Sequence, residues 1–146
     1  MVECIMDIYS FPAAKFMTKK VITEKVTSTF QSVCKAMYYN DVGSVVIMNW
    51  KTESIEPVGI ITERDVVKLA GLIDNFNLQE PIRSFMSYPL VTGTPAMALS
   101  KVMDIMAKKN IRRLPIIDKV KGRKKLVGII TEKDIVNAIV KTHRKR

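Results

Sequence analysis

Along the chain, apolar residues gather in two short runs, and the same arrangement then returns. Ser44 to Met48 and Val58 to Ile61 flank the polar stretch Asn49 to Glu56, while Leu114 to Ile117 and Val127 to Ile130 flank Asp118 to Lys125. Runs of this length predict buried strands, joined in pairs by hairpin loops. Ahead of each pair, apolar side chains recur every three or four residues: Phe30, Val33, Cys34 and Met37, then Leu99, Val102, Met103 and Met106. That spacing predicts an amphipathic helix in each place. Thr94-Pro95 offers the second helix an N-cap and a first-turn proline. A shorter apolar segment, Val21-Ile22 or Leu90-Val91, precedes each helix as a strand, and a closing helix starts after Thr62 and after Thr131. The unit is β-α-β-β-α, written twice.

A shift of 69 residues aligns the two copies without a gap, and fifteen of the 60 pairs from Pro12/Pro81 to Gly71/Val140 are identical. Ordinary residue usage would give roughly one in sixteen. The densest stretch sets Val58-Gly-Ile-Ile-Thr-Glu-Arg-Asp65 against Val127-Gly-Ile-Ile-Thr-Glu-Lys-Asp134. Such a period marks a duplication. The expected fold is α+β, with repeats over residues 12–71 and 81–140, a connecting segment at 72–80 and a basic tail at 141–146. A unit of about 60 residues is marginal by itself. The two copies are therefore expected to share a core, their sheets packed with pseudo-two-fold symmetry and two equivalent clefts between them.

Composition narrows the class. With 146 residues, 47% apolar and 26% charged, the chain is neither disordered nor a membrane bundle. Its net charge of +10 is unevenly placed: residues 1–73 hold eight basic and eight acidic side chains, residues 74–146 sixteen and six. An anionic partner is expected at the C-terminal half. Cys4 and Cys34 lack metal-type spacing and read as ordinary thiols of a reducing compartment. Glu3 and Asp7 stand where a secretory signal carries positive charge, and no apolar run approaches membrane-spanning length. The expected location is cytoplasmic.

Thr62-Glu63-Arg64-Asp65 and Thr131-Glu132-Lys133-Asp134 each sit where an apolar strand becomes a helix. A capping box explains this arrangement: the hydroxyl takes a free backbone N–H and the acidic side chain returns the favour. The same residues suit a nucleotide. A helix N-terminus offers N–H groups and partial positive charge to phosphate, Arg64 or Lys133 adds full charge, and a carboxylate accepts two hydrogen bonds from a ribose diol. Both readings stand on the sequence.

The paired motifs G-I-I-T-E-R-D and G-I-I-T-E-K-D, within a duplicated β-α-β-β-α pattern, resemble the signature of tandem cystathionine β-synthase (CBS) domains over about residues 12 to 140. The resemblance implies a regulatory, energy-sensing module that binds an adenosine-containing ligand such as AMP, ADP, ATP or S-adenosylmethionine. It implies that Thr62 and Thr131 contact ribose or phosphate and that Asp65 and Asp134 hold the ribose hydroxyls. It further implies that the middle strand lines the adenine pocket, through Ser44, Val45 and Val46 in one copy and Arg113, Leu114 and Pro115 in the other. Arg64 and Lys133 complete the set of candidate binding residues. A homodimer is implied too, formed through the methionine-bearing helices. Where copy one has Gly43-Ser44, copy two has Arg112-Arg113. At most one of these arginines is expected to face a given cleft, where it would favour phosphate over a cationic sulfonium.

No catalytic site and no metal site is expected. His143 has no nucleophilic or acidic partner beside it, and neither a phosphate-binding glycine loop nor zinc spacing occurs. Because the duplication consumes the chain, no attached catalytic or channel domain is expected, and the signal must reach a separate effector protein. Lys119, Lys121, Arg123, Lys124 and Lys125 crowd one hairpin loop, and Lys141, Arg144, Lys145 and Arg146 crowd the tail. Either they form solvated faces or they contact nucleic acid or an acidic protein. No aromatic residue is interleaved to stack on bases. Nucleic-acid binding through this half, and S-adenosylmethionine sensing, are thus the rivals to nucleotide sensing.

Overall fold

The structure is a computed structural model and describes residues 8–50 and 55–144, with side chains as far as residue 141. The chain divides into two compact units, Val21–Leu90 and the segment through Lys20 together with Val91 onward. These units are offset from the repeats in sequence: the stretch that opens each repeat docks on the sheet of the other copy. Thr18 exchanges backbone hydrogen bonds with Ile129 (2.9 Å each way), and Ser87 does the same with Ile60 (2.9 and 3.2 Å).

In the first unit, β1 (Thr23–Lys25), α1 (Phe30–Asn40), β2 (Ser44–Trp50), β3 (Ile55–Thr62) and α2 (Glu63–Leu72) follow in order. β1 runs parallel to β2 and β3 antiparallel to it, in the order β1-β2-β3. Thr29 caps α1 by accepting the Ser32 amide at 3.1 Å. The apolar stripe of α1 lies against one face of the sheet. Phe30, Val33 and Met37 are buried with Val45, Ile47, Ile61 and Ile82, and Phe30 meets the rings of Phe76 and Phe85 edge-on at 4.6 and 5.9 Å.

The second unit holds α3 (Leu99–Lys109), β4 (Arg113–Val120), β5 (Arg123–Thr131) and α4 (Glu132–Arg144). Its core repeats the plan with Leu99, Val102, Met106, Leu114, Ile116 and Ile130, joined by Ala13 from the docked N-terminal stretch. The equivalent helices α1 and α3 each end at a left-handed residue, Asp41 (φ 50°) and Asn110 (φ 53°). These short polar residues tolerate that conformation.

Three expectations need correction. The first strand of copy two shrinks to a bridge between Gly93 and Ile116, because prolines remove its donors. In copy one the Val46 amide bonds Ile22 and the Val26 amide bonds Met48 (both 3.1 Å), but the equivalent residues are Pro115 and Pro95. Neither has an N–H to give. Secondly, Thr94-Pro95 does not cap α3, whose N-cap is Ala98 without a side-chain bond. Pro95 instead fills a turn closed by the Met97 amide on the Thr94 carbonyl at 3.1 Å. Thirdly, the expected loop Asp118–Lys125 is strand on both sides of a two-residue turn, Lys121-Gly122, with φ of 53° and 76°. β2 likewise runs on to Trp50 and β3 begins at Ile55, so both ends of the polar stretch of copy one are strand, while residues 51–54 lie outside the described residues.

Each hairpin carries one extra residue, Val58 or Val127, where the register shifts just before a glycine. Gly59 and Gly128 lie under the docked stretches. A Cβ at Gly59 would stand 2.6 Å from Met86 Sδ and 3.0 Å from the Ser87 carbonyl oxygen; at Gly128 it would stand 2.5 Å from Met17 Sδ and 3.1 Å from the Thr18 oxygen. The methionine can yield, but the carbonyl accepts a backbone bond from the strand while the amide of the same residue donates another, which holds it in place. Gly59→Ala and Gly128→Ala are each expected to lower stability by about 1–3 kcal/mol through overpacking. Urea midpoints check this, and an unchanged midpoint would refute the close approach.

Candidate functional site

β3 and β5 deliver Thr62 and Thr131 to the starts of α2 and α4 in extended conformation, and the next residue is already helical. The first amides of such a helix lack carbonyls one turn back. At the first junction, Asp65 Oδ2 accepts the Thr62 amide (2.8 Å) and the Thr62 hydroxyl (2.9 Å), and Thr62 Oγ1 accepts the Asp65 amide (3.4 Å). The second repeats this: Asp134 Oδ2 takes the Thr131 amide (2.9 Å) and hydroxyl (3.1 Å), and Thr131 Oγ1 takes the Asp134 amide (3.3 Å). The Glu63 amide bonds the Gly43 carbonyl at 3.0 Å and the Glu132 amide bonds Arg112 at 3.1 Å. The capping box is real in both copies.

This geometry changes what the junctions can offer. Most helix-start donors are already used, which leaves the Arg64 and Lys133 amides as the groups facing outward at the first turn. The threonine hydroxyl proton is directed to its own carboxylate. The second carboxylate oxygen of partly buried Asp65 and Asp134 takes no part in the cap, and exposed Arg64 and Lys133 precede the two carboxylates in sequence. The copies are not equal here. Thr18, brought by the docked stretch, sets its hydroxyl 3.3 Å from Asp134 Oδ1 and 3.5 Å from Oδ2. Thr18 lies outside the strand-to-helix motif and carries no local sign of this role, although the repeat alignment pairs it with another hydroxyl residue, Ser87.

Ser44 pairs in register with Thr62, and Arg113 with Thr131. Cross-strand partners share a face of the sheet, so these residues stand beside the junction, followed two positions later by Val46 and Pro115. Val45 and Leu114 point the other way, into the helix-covered cores. Of the middle-strand residues named as adenine-lining, these two have only backbone to present. Val46 and Pro115 are buried, Ser44 is 9% exposed and Arg113 is partly exposed. Arg112 lies 3.6 Å from Glu132 Oε1.

Other candidates fall elsewhere. Met37 and Met106 are buried in the cores, and Met97 and Met103 pack against the second one, so these methionines serve as core filler. Cys34 is half-buried on α1, where loss of solvent pushes its thiol pKa up. Trp50 is exposed at the end of β2 with Lys25 Nζ 4.3 Å from its ring. Lys119, Lys121, Arg123, Lys124, Lys125 and Lys141 are exposed. Cys4, the side chain of His143 and the rest of the tail lie outside the described residues. Among the described residues no cluster could hold a metal ion, and no helix is long and apolar enough to cross a membrane.

Residues 13–71 and 82–141 each match the CBS domain family. The Methanopyrus kandleri protein MK0525 is 40% identical over 119 residues, 81% of this chain and 57% of that protein. The chain thus spans little more than half the length of that relative. CBS domain protein PAE2072 from Pyrobaculum aerophilum, solved with AMP, shares the fold at a TM-score of 0.77 and 18% identity, over 92% of this chain and 99% of that one. The CBS domain pair of MJ0100, solved with 5′-methylthioadenosine and S-adenosylmethionine, does so at 0.75 and 22%, over 89% and 96%.

Proposed function

The chain belongs to the CBS-domain family as a tandem pair, and on that premise we propose that it is a non-catalytic regulatory sensor of adenine nucleotides (AMP, ADP or ATP), acting on a separate protein. The observation that carries this reading is the duplicated junction, where the threonine amide and hydroxyl both bond Oδ2 of Asp65 or Asp134 and leave Oδ1 out of the cap. A ribose diol donates to such an oxygen, and a phosphate meets the Arg64 or Lys133 amide and side chain at a positive helix end. The AMP complex of PAE2072 supports the same choice. A ligand alters output only if it binds two states of the protein unequally. Self-association as a homodimer belongs to this proposal, and each unit has exposed apolar residues on its closing helix to contribute, Val67 and Leu72 on α2 and Val136 and Val140 on α4.

S-adenosylmethionine is the second reading, because MJ0100 was solved with it. Arg64, Lys133 and Arg113 disfavour a sulfonium cation at either junction. Calorimetric titration with AMP, ADP, ATP and S-adenosylmethionine separates the two: a nucleotide is expected to bind more tightly than the sulfonium, and the reverse order overturns the nucleotide assignment. Arg113→Ala is expected to weaken AMP about threefold to tenfold while leaving adenosine unchanged, as for a partly solvated charge contact. Unchanged AMP affinity removes Arg113 from the site.

A further inference from the structure

The hairpin of β4 and β5 ends in five exposed cations, Lys119, Lys121, Arg123, Lys124 and Lys125, with Asp118 as the one carboxylate among them. Lys119 lies directly opposite Lys124 in the register, a like-charge pairing that weakens a hairpin. Lys121 takes φ 53° at the turn, where Asn, Asp or Gly fits with less strain. Among the described residues none of the five has an ion-pair partner. In copy one β2 and β3 pair as far as Trp50 and Ile55, and the sequence from Asn49 to Glu56 holds one cation, Lys51, against the two carboxylates Glu53 and Glu56. The duplication therefore supplies an internal control: this hairpin does not need positive charge to form, and copy two accepts unfavourable pairings in order to carry it.

We propose that the β4–β5 hairpin tip is a contact site for the phosphate backbone of double-stranded nucleic acid. A two-stranded ribbon is narrow enough to enter a DNA major groove, and cations on both of its faces can then reach the flanking strands. No aromatic residue lies at the tip to stack an unpaired base. No Asn or Gln lies there to read an adenine edge, and the proposed contacts are to phosphate, which carries no sequence information directly. Val120 is the only apolar side chain at the tip, too little to anchor in a lipid interface.

The test is fluorescence anisotropy of the full chain with a random-sequence DNA duplex at about 50 and 200 mM salt. If five phosphates are neutralised, affinity should fall about 500-fold across that range. The variant combining Lys119→Gln, Lys121→Gln, Arg123→Gln, Lys124→Gln and Lys125→Gln is expected to lose most binding at the lower salt and nearly all of the salt slope. Its melting temperature should equal or exceed that of the wild type, since the Lys119–Lys124 repulsion is gone. Deleting residues 141–146 should leave most of the slope. The proposal is overturned if the five-site variant binds like wild type, if the deletion alone abolishes binding, if the wild type ignores the duplex at low salt, or if phosphatidylserine vesicles bind and the duplex does not.

Discussion

Phe30→Ala is expected to destabilise the protein by about 3–5 kcal/mol, the usual loss for removing a buried aromatic ring. Phe30 is 2% exposed at the first turn of α1, and it holds together parts of the chain that are distant in sequence. Its ring is the partner of Phe76 and Phe85, and its amide bonds the Glu80 carbonyl at 2.9 Å. Truncation would open a void between α1, the sheet and the returning segment, all at once. Leu99→Ala at the equivalent position of α3 makes a useful comparison, since Leu99 is as deeply buried but carries an aliphatic side chain in place of a ring. Its loss should fall in the lower part of the range of about 2–5 kcal/mol. Urea denaturation measures both, and a Phe30→Ala cost below about 1 kcal/mol would contradict this account of the first core.

Replacing both carboxylates, Asp65→Ala with Asp134→Ala, is expected to have two separable effects. Each substitution removes an acceptor of two hydrogen bonds and exposes the threonine amide, for about 1 kcal/mol of stability per junction. Nucleotide affinity should fall about 100-fold, the scale of losing charge-assisted hydrogen bonds to a ribose. Thermal melting with and without AMP reads both: the midpoint without ligand drops, and the ligand-induced rise disappears. The single variants should differ. Asp134 already holds the Thr18 hydroxyl, so Asp65→Ala is expected to remove the stronger share of binding. Equal ligand-induced rises in the double variant and the wild type would leave the carboxylates with a capping role alone.

The pattern of the sequence carried the architecture a long way. The shift of 69 residues, the apolar strand pairs and the helical stripes at Phe30–Met37 and Leu99–Met106 all correspond to elements of the fold. The junctions were legible too, because a threonine followed at three residues by a carboxylate has local chemistry that distant contacts rarely change. Features set by hydrogen-bond pairing between segments were not legible. Pro95 and Pro115 each look harmless alone, and only the register shows that they remove both flanking bonds of one strand. Self-alignment cannot tell which copy a segment docks on, so the placement of Thr18 against Ile129 and Asp134 was hidden. The family resemblance points to the middle strand as a continuous run, and only the register separates Val46 and Pro115 from Val45 and Leu114, whose side chains belong to the cores.

The central claim is that Asp65 and Asp134 serve a ribose as well as their own helix ends. Calorimetric titration of AMP into the wild type and into the double variant Asp65→Asn/Asp134→Asn tests it most directly. Asparagine keeps a carbonyl oxygen for the threonine amide and so keeps most of the cap, but it gives up the charge and the second acceptor oxygen. Saturable binding by the wild type, weakened about tenfold or more in a variant that remains folded, is the expected result. A folded variant that binds AMP as the wild type does, or a wild type to which AMP does not bind, contradicts it.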